Sequence, residues 1–238
     1  MRITFFLASL LLAGCSADIP DTDYFPLQKG VVWEYQVNEL FGSRESQREF
    51  SIENLGETQF QEGEVFTEDT ISVRHTSDGT DYYILKDDTG VYRAARRTLI
   101  EYQPRFEKSL VRILPNNKDL EVGRSWTVPT KPYALHATAS FAVPDPRKRD
   151  INLQFEIKSV TDTVEVPAGT FERCIRVEGA TVLTLYVDPK LGYQDIPITQ
   201  TEWYAPGVGL VKLVREEPLS MELFKGGVIS YELSRFDP

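Results

Sequence analysis

Few residues in this chain have the types and spacing that catalysis or metal binding requires. The two histidines, His75 and His136, lie far apart, each within a strand-like run and without a second His or Cys nearby. A zinc site needs clustered ligands, so this spacing argues against one. The adjacent carboxylates Glu216 and Glu217 would point to opposite faces of a strand. Nucleophile-elbow and phosphate-binding glycine motifs are absent. The sequence therefore predicts a non-enzymatic protein with no catalytic site, metal site or cofactor.

The stretch with a defined chemistry is Leu12-Ala13-Gly14-Cys15. It follows the cation Arg2 and an apolar run from Ile3 to Leu12, which is typical of an export signal and too short to cross a bilayer. The four residues resemble the lipobox of bacterial lipoproteins. That resemblance implies that residues 1–14 are a signal peptide and that Cys15 becomes the lipidated first residue. An ordinary secretory signal is the alternative.

Lipid on Cys15 would set where the domain resides. Each buried acyl methylene contributes about 0.8 kcal/mol, so two or three chains hold a protein firmly in a membrane. In such lipoproteins an aspartate after the cysteine resembles an inner-membrane retention mark. Here Ser16 follows, which implies the outer membrane with the domain facing the periplasm. Residues 15–23 predict a short polar tether, and residues 24–238 predict a single β domain.

Charge and cysteine content exclude two further classes. Without residues 1–14 the chain has 25 basic and 36 acidic residues, a net charge of −11, which opposes nucleic-acid binding. Cys174 is the second of two cysteines, so lipidation of Cys15 leaves no intrachain disulfide. Burial is the expected state of Cys174. Pairing between chains stays open, because strict alternation would place it on the face of Glu172 and Arg176.

Hydrophobic periodicity predicts an all-β fold. Apolar and polar residues alternate without a fault over Ile151–Lys158, as a strand with one buried face requires. Only Arg93–Gln103 could instead form a short helix. The prediction is an antiparallel meander that curls into a half-barrel, a closed barrel or a two-sheet sandwich, because so many strands must hide their edges. The other predicted strands are Val31–Val37, Val65–His75, Tyr82–Lys86, Ala134–Val143, Arg173–Val187, Ile198–Tyr204, Leu210–Arg215 and Val228–Phe236.

Turn residues separate these strands. In Val166-Pro167-Ala168-Gly169-Thr170, the proline suits a type I turn and Gly169 suits the left-handed residue that follows it. Pro206 and Gly207 together predict a type II turn, since proline fixes the first central dihedral and glycine accepts positive φ at the second. Both turns are structural assignments rather than sites of chemistry.

Three blocks carry a family resemblance: Tyr24-Phe25-Pro26-Leu27 with Gly30 and Trp33, then Val166–Phe171, then Trp203–Lys212. They resemble a group of bacterial envelope proteins labelled TapB-like. The resemblance implies an antiparallel sheet curled into a half-barrel or barrel, similar to periplasmic carriers that escort lipoproteins. No catalytic residue is defined for that group, so the resemblance implies none here.

Two features favour binding. Thirteen Phe, eleven Tyr and three Trp supply a core, and in a curled sheet some of them would line a pocket for an acyl chain. Basic side chains predict contact with an anionic envelope partner, against the plainer interpretation of solvated surface charge. These are Arg93, Arg96, Arg97, Arg147, Lys148 and Arg149.

The sequence thus predicts an outer-membrane-anchored, periplasm-facing lipoprotein that acts as a non-enzymatic binding or interaction module. Its partners would be the membrane, through lipid on Cys15, and an envelope protein or lipid-like ligand. The alternative is a carrier or sensor that holds a hydrophobic ligand inside the curled sheet. A carrier needs an unfilled interior, whereas an interaction module packs its core and exposes an apolar patch.

Overall fold

The computed structural model describes residues 19–58, 70–138, 145–221 and 223–238. The export signal and Cys15 lie outside the described residues, so lipidation stays a prediction. The described chain is built from strands joined by turns, with two short 3-10 turns at Asn117–Asp119 and Pro146–Lys148.

The strands follow one another in short connections. In chain order they are β1 Val32–Phe41, β2 Arg44–Thr58, β3 Ile71–Thr76, β4 Asp81–Lys86, β5 Gly90–Arg97, β6 Arg105–Pro115, β7 Ser125–Thr130, β8 His136–Ala137, β9 Ile151–Val166, β10 Gly169–Asp188, β11 Gly192–Ala205, β12 Gly209–Ser220 and β13 Phe224–Asp237.

All strand pairs are antiparallel and belong to one sheet. Its order is β6-β5-β4-β3-β2-β1-β13-β12-β11-β10-β9-β7, with the short β8 paired to β13. The sheet curls until its edge strands, β6 and β7, come close to each other, which forms a nearly closed barrel. The predicted all-β antiparallel fold is confirmed, and among the three predicted forms the curled barrel is the one adopted.

The inward face carries the main core. Along β9 the side chains of Ile151, Leu153, Phe155 and Ile157 are buried and alternate with more exposed polar residues. Burying one such side chain contributes about 1.5–3 kcal/mol, so this alternation fixes which face of β9 points inward.

Two of the secondary-structure predictions, one of a helix and one of a strand, differ from the structure. A helix over Arg93–Gln103 is wrong, because these residues form the end of β5 and the loop that follows it. A register irregularity between Arg93 and Ala95 lets both Ala94 and Ala95 be buried, and two consecutive buried residues imitate a helical pattern. Of the predicted strand Ala134–Val143, the described part forms only β8, and residues 139–143 lie outside the described residues.

Strands β2, β5, β6 and β7 were not predicted, and β3 begins at Ile71, later than predicted, with residues 65–69 outside the described chain. The first half of β2 is exposed on both faces, so it has no apolar alternation to detect. Backbone pairing with β1 holds this half in the sheet instead, and β3 pairs with the second half of β2.

The segment before β1 covers one end of the barrel. The Asp23 carbonyl accepts a hydrogen bond from the Gly207 amide, in the β11–β12 turn, at 2.8 Å. Lys86, at the end of β4, donates to the Asp23 carboxylate at 2.6 Å. Phe25 is buried in the core below. Asp23 is itself buried, so folded contacts reach into the segment predicted as a tether. We refer to this side of the barrel as the covered end.

The β9–β10 turn offers a test of backbone strain. Gly169 has φ +137° and pairs with Val166. A Cβ added there would meet no atom within 4 Å, so only the dihedral opposes a side chain. Gly169→Val is expected to lower the free energy of unfolding by about 1–2 kcal/mol in urea titration.

The matched control is Thr170→Val, at the adjacent exposed strand residue, which should change stability by less than about 0.5 kcal/mol. An equally stable Gly169→Val protein would show that the turn does not have this conformation.

Candidate binding cavity

The curled sheet partly encloses a cavity of about 670 Å³, within the range of about 300–1,000 Å³ that small-molecule sites occupy. It is lined by residues of both edge strands and by residues of the strands between them. Much of its wall is apolar, including Phe50, Ile52, Val111, Val128, Phe155 and Leu213.

The lining of the cavity includes residues of the covered end and an exposed ion pair. Phe25 belongs to the covered end, whereas Lys131 directly follows β7 and Asp150 directly precedes β9. The Asp150 side chain is 87% exposed and pairs with Lys131 at 2.6 Å. A ligand would therefore enter beside this exposed pair, between the end of β7 and the start of β9.

Cationic side chains outnumber acidic ones in the lining. The cations are Arg74, Arg93, Arg96, Arg112 and Lys131, and the acids are Glu107, Asp150 and Glu202. Arg93 Nε donates to Glu107 at 2.7 Å, and Lys131 pairs with Asp150. Among the described residues, Arg74 and Arg96 form no ion pair.

Arg74 projects from β3 into the inner part of the cavity. Its guanidinium carbon lies 3.9 Å from the centre of the Phe25 ring and 4.6 Å from that of Trp33. Nε donates to Asn54 Oδ1 at 3.0 Å, and Nη2 donates to the Pro26 carbonyl at 2.7 Å. Burial lowers the pKa of Arg74 to about 10, because shielding from water disfavours the charged form.

The structure divides the predicted basic group on β5. Residues three apart on a regular strand face opposite sides, yet Arg93 and Arg96 both line the cavity because of the bulge at Ala94 and Ala95. Arg97 instead pairs with the buried Asp81, its Nε donating at 3.1 Å.

The second predicted basic group bonds to its own surroundings. Arg147 pairs with Asp145 at 2.7 Å, and Arg149 donates to the Thr184 carbonyl at 2.8 Å. The Lys148 carbonyl accepts from Lys131 Nζ at 3.2 Å. These residues and those of β5 were predicted to meet an anionic partner together, and the cavity receives only Arg93 and Arg96 from the set.

A buried hydrogen-bonded network runs along β11 and β12, and two of its members, Gln200 and Glu202, line the cavity. Tyr204 OH donates to Glu202 at 2.6 Å, and Gln200 bonds both to Glu202 and, at 3.0 Å, to Arg215. Arg215 Nε then donates to Glu217 at 2.8 Å, and both of these side chains have no exposed surface. Most members of this network are ionisable side chains. Each therefore depends on hydrogen bonds from its neighbours to offset the cost of its burial.

Glu217 connects this hydrogen-bonded network to the loop that follows β7. Its carboxylate accepts hydrogen bonds from the backbone amides of Tyr133, Ala134 and Leu135, at 2.7 to 3.2 Å. The Tyr133 ring lies 4.9 Å from the guanidinium carbon of Arg215 and lines the cavity. The buried ion pair thereby positions the loop that follows β7.

Glu202 makes stability depend on pH. Burial raises the pKa of its carboxyl, while hydrogen bonds from Tyr204 and Gln200 oppose that shift. A raised pKa means that the folded state holds the proton more tightly than the unfolded state, so the stabilisation is present at low pH and is lost as pH rises through the raised pKa. The free energy of unfolding of Glu202→Gln, relative to the parent, should therefore increase as pH rises from about 4 to 7.

Urea titrations at a series of pH values measure this difference. Glu216→Gln is the control, because Glu216 is an exposed carboxylate on the adjacent strand. A difference for Glu202→Gln that does not change with pH would contradict the raised pKa.

Cys174 is inaccessible. Its side chain is 0% exposed, and burial raises the pKa of its thiol to about 11. Arg173 adopts φ +56°, and the register shifts on both sides of Cys174, which breaks the alternation that would have placed the thiol on the outer face. The predicted burial is confirmed, and a buried neutral thiol does not favour pairing between chains.

The described residues contain no group of three or more His, Cys, Asp or Glu placed to hold a metal ion. His75 Nδ1 lies 2.6 Å from Asp81 Oδ1, and Arg97 shares that carboxylate. Within the described ranges no helix has the length and apolar content needed to cross a membrane. The arrangement that these residues do form, an apolar cavity with fixed polar groups, is suited to binding.

Comparison with known proteins finds low similarity to two solved structures. No protein-family model and no curated protein matches the chain. A candidate lipoprotein from Parabacteroides distasonis is similar at 16% identity and TM-score 0.45, over 93% of this chain and 100% of that one. A candidate exported protein with a YmcC-like fold from Bacteroides fragilis is similar at 14% identity and TM-score 0.46, over 94% and 100%. The TapB-like resemblance stays a prediction.

Proposed function

We propose that this chain is a non-enzymatic binding protein of the cell envelope that holds a lipid-like ligand in the cavity of its curled sheet. The cavity of about 670 Å³ carries this proposal. Protein interiors are close-packed, with few voids larger than a water molecule. A barrel that served only as a scaffold would fill its interior with side chains.

The walls support an apolar ligand. Apolar side chains from opposite sides of the barrel, such as Ile52 and Phe155, face the same space. One end is covered by the segment that contains Phe25, and the other opens beside Lys131. A cavity with one open end and apolar walls removes an alkyl chain from water and gains about 25 cal/mol for each Å² so buried.

Native mass spectrometry of the gently purified protein tests this directly, followed by solvent extraction to identify any bound mass. Binding of the neutral apolar dye N-phenylnaphthylamine provides the titration. Leu213→Trp, which places a larger side chain in the cavity wall, should weaken dye binding at least about tenfold. The control Val182→Trp adds the same ring at a residue that is 59% exposed. A protein that neither carries an apolar mass nor binds the dye would overturn the proposal.

The envelope location is supported by Leu12-Ala13-Gly14-Cys15, and outer-membrane anchoring facing the periplasm is part of the proposal. Cys15→Ala should move the protein from the membrane fraction to the soluble periplasmic fraction, because the lipid anchor is lost. Cys174→Ala is the matched control and should leave the protein in the membrane fraction. Membrane association that persists in Cys15→Ala would contradict lipid anchoring.

A second role, contact with an envelope partner, is favoured by the loop between β5 and β6. Leu99, Ile100 and Tyr102 are 80%, 90% and 100% exposed, and exposed apolar clusters commonly mark interaction sites. A photo-crosslinking residue at position 100 should capture one defined partner in whole cells. The same residue at Val122, which is 61% exposed, is the control, and equal capture at both positions would argue against a specific contact.

A further inference from the structure

We infer that the ligand is an anionic amphiphile whose head group binds between Arg74 and Arg96, across Tyr82. This inference rests on the proposed function and deepens it. The register pairs Arg74 with Tyr82 and Tyr82 with Arg96, so the three residues form one row across β3, β4 and β5. All three line the cavity. We refer to them as the arginine row.

The spacing of the arginine row fits a single small anion. Neighbouring strands are about 4.7–4.9 Å apart, so the Cα atoms of Arg74 and Arg96 are separated by roughly 10 Å, two strand spacings. Arginine side chains are long enough to converge from that separation. Guanidinium groups bind carboxylate and phosphate oxygens through paired, charge-assisted hydrogen bonds.

Among the described residues, the cavity lining holds no uncommitted counter-charge for these two guanidiniums. Its acidic side chains are committed elsewhere: Glu107 to Arg93, Asp150 to Lys131, and Glu202 to Tyr204 and Gln200. The remaining cation of the lining, Arg112, donates to the Tyr92 hydroxyl at 2.6 Å. Arg74 and Arg96 are both only partly buried and have no carboxylate partner among the described residues, so an anionic head group would compensate the two guanidiniums together.

Arg74 is held in position before a ligand arrives. Its ring contacts with Phe25 and Trp33 and its bonds to Asn54 and Pro26 fix the guanidinium plane. Among the described residues, no hydrogen bond uses its Nη1. A group that is already ordered loses little conformational entropy on binding, so Nη1 is a preorganised donor for the ligand.

The apolar part of the ligand has a separate wall. Val128 of β7 and Phe155 of β9 line the cavity and lie across the contact between β6 and β7 from the arginine row. A molecule with one charged end and one alkyl chain would contact both regions at once. The preference for an anion is local, because the whole chain carries a net charge of −10, which repels anions.

Three ligands with identical twelve-carbon chains test the head-group inference separately from the cavity proposal. They are dodecanoate, dodecyl phosphate and dodecanol. Isothermal titration of the purified protein, below the concentration at which each ligand aggregates, should give at least about tenfold tighter binding for an anionic ligand than for dodecanol. The tighter of the two anions identifies the head group as carboxylate or phosphate. Equal affinity for dodecanol and both anions would overturn the head-group inference and leave the cavity proposal standing. If none of the three binds, the cavity proposal itself fails.

Arg96→Met tests the arginine row without breaking an ion pair of the described structure. It should weaken binding of both anions about tenfold or more and leave dodecanol unchanged. Arg96→Lys keeps the charge but not the planar fork, so its affinity for the anions should lie between those of the parent protein and Arg96→Met. The control Arg235→Met removes the same charge from a side chain that is 61% exposed. Unaltered anion binding in both Arg96 variants would exclude Arg96 from the site.

Discussion

Replacing Glu217 by alanine is expected to lower the free energy of unfolding by about 3–5 kcal/mol. The change leaves the Arg215 guanidinium buried without its counter-charge, since both side chains have no exposed surface. Arg215 has little reserve, because its Nη2 is already buried without a hydrogen-bond partner among the described residues. The three backbone amides of the loop that donate hydrogen bonds to Glu217 also lose their acceptor.

Urea or thermal unfolding followed by circular dichroism measures this loss. Glu232→Ala is the control, because it breaks a partly exposed pair with Lys212 and should cost no more than about 1 kcal/mol. Equal losses in the two variants would show that burial does not set the cost. Glu217→Ala should also weaken dye binding in the cavity, because the loop that carries Tyr133 loses its attachment.

Trp33→Ala is expected to lower the free energy of unfolding by about 3–5 kcal/mol. Trp33 is 1% exposed and packs with the Phe236 ring, whose centre is 5.8 Å away. Its Nε1 donates at 2.7 Å to the carbonyl of Val208, in the β11–β12 turn. The side chain thereby joins β1 to a distant turn at the covered end.

Trp33→Phe separates packing from hydrogen bonding. It keeps an aromatic ring and loses the Nε1 donor, so a loss of about 1–2 kcal/mol is expected. Since Trp33 also contacts the guanidinium of Arg74 at 4.6 Å, both variants should weaken dodecanoate binding more than dodecanol binding. A stability loss in Trp33→Ala no larger than that in Trp33→Phe would show that the core around β1 is not closely packed.

Substitutions of Trp33 and of Glu217 act on different ends of the cavity. Trp33 and the segment around Phe25 support the covered end, whereas Glu217 holds the loop at the mouth. The interior of the barrel stays accessible to a ligand because the covered end and the loop after β7 are held in place around it. Structural residues and proposed ligand contacts are thus neighbours, and matched controls are needed to separate stability from binding.

Much of the fold could be predicted from the sequence, because strand alternation is a local property. Ile151–Lys158 alternates in the sequence and in the structure, and adjacent Glu216 and Glu217 do face opposite sides, one exposed and one buried. Turn chemistry is equally local: Gly169 and Gly207 have the positive φ that their positions require. The sequence alone therefore determined the all-β class and the direction of most strands.

The cavity and its charges were decided by tertiary structure. Apolar residues that face a packed core and those that face a ligand alternate identically, so a cavity leaves no mark in the sequence. The bulge at Ala94 and Ala95 places both Arg93 and Arg96 inside, and a register shift of this kind depends on the neighbouring strand. Arg74 and Arg215 were not predicted, because their partners are contributed by distant segments once the sheet has curled.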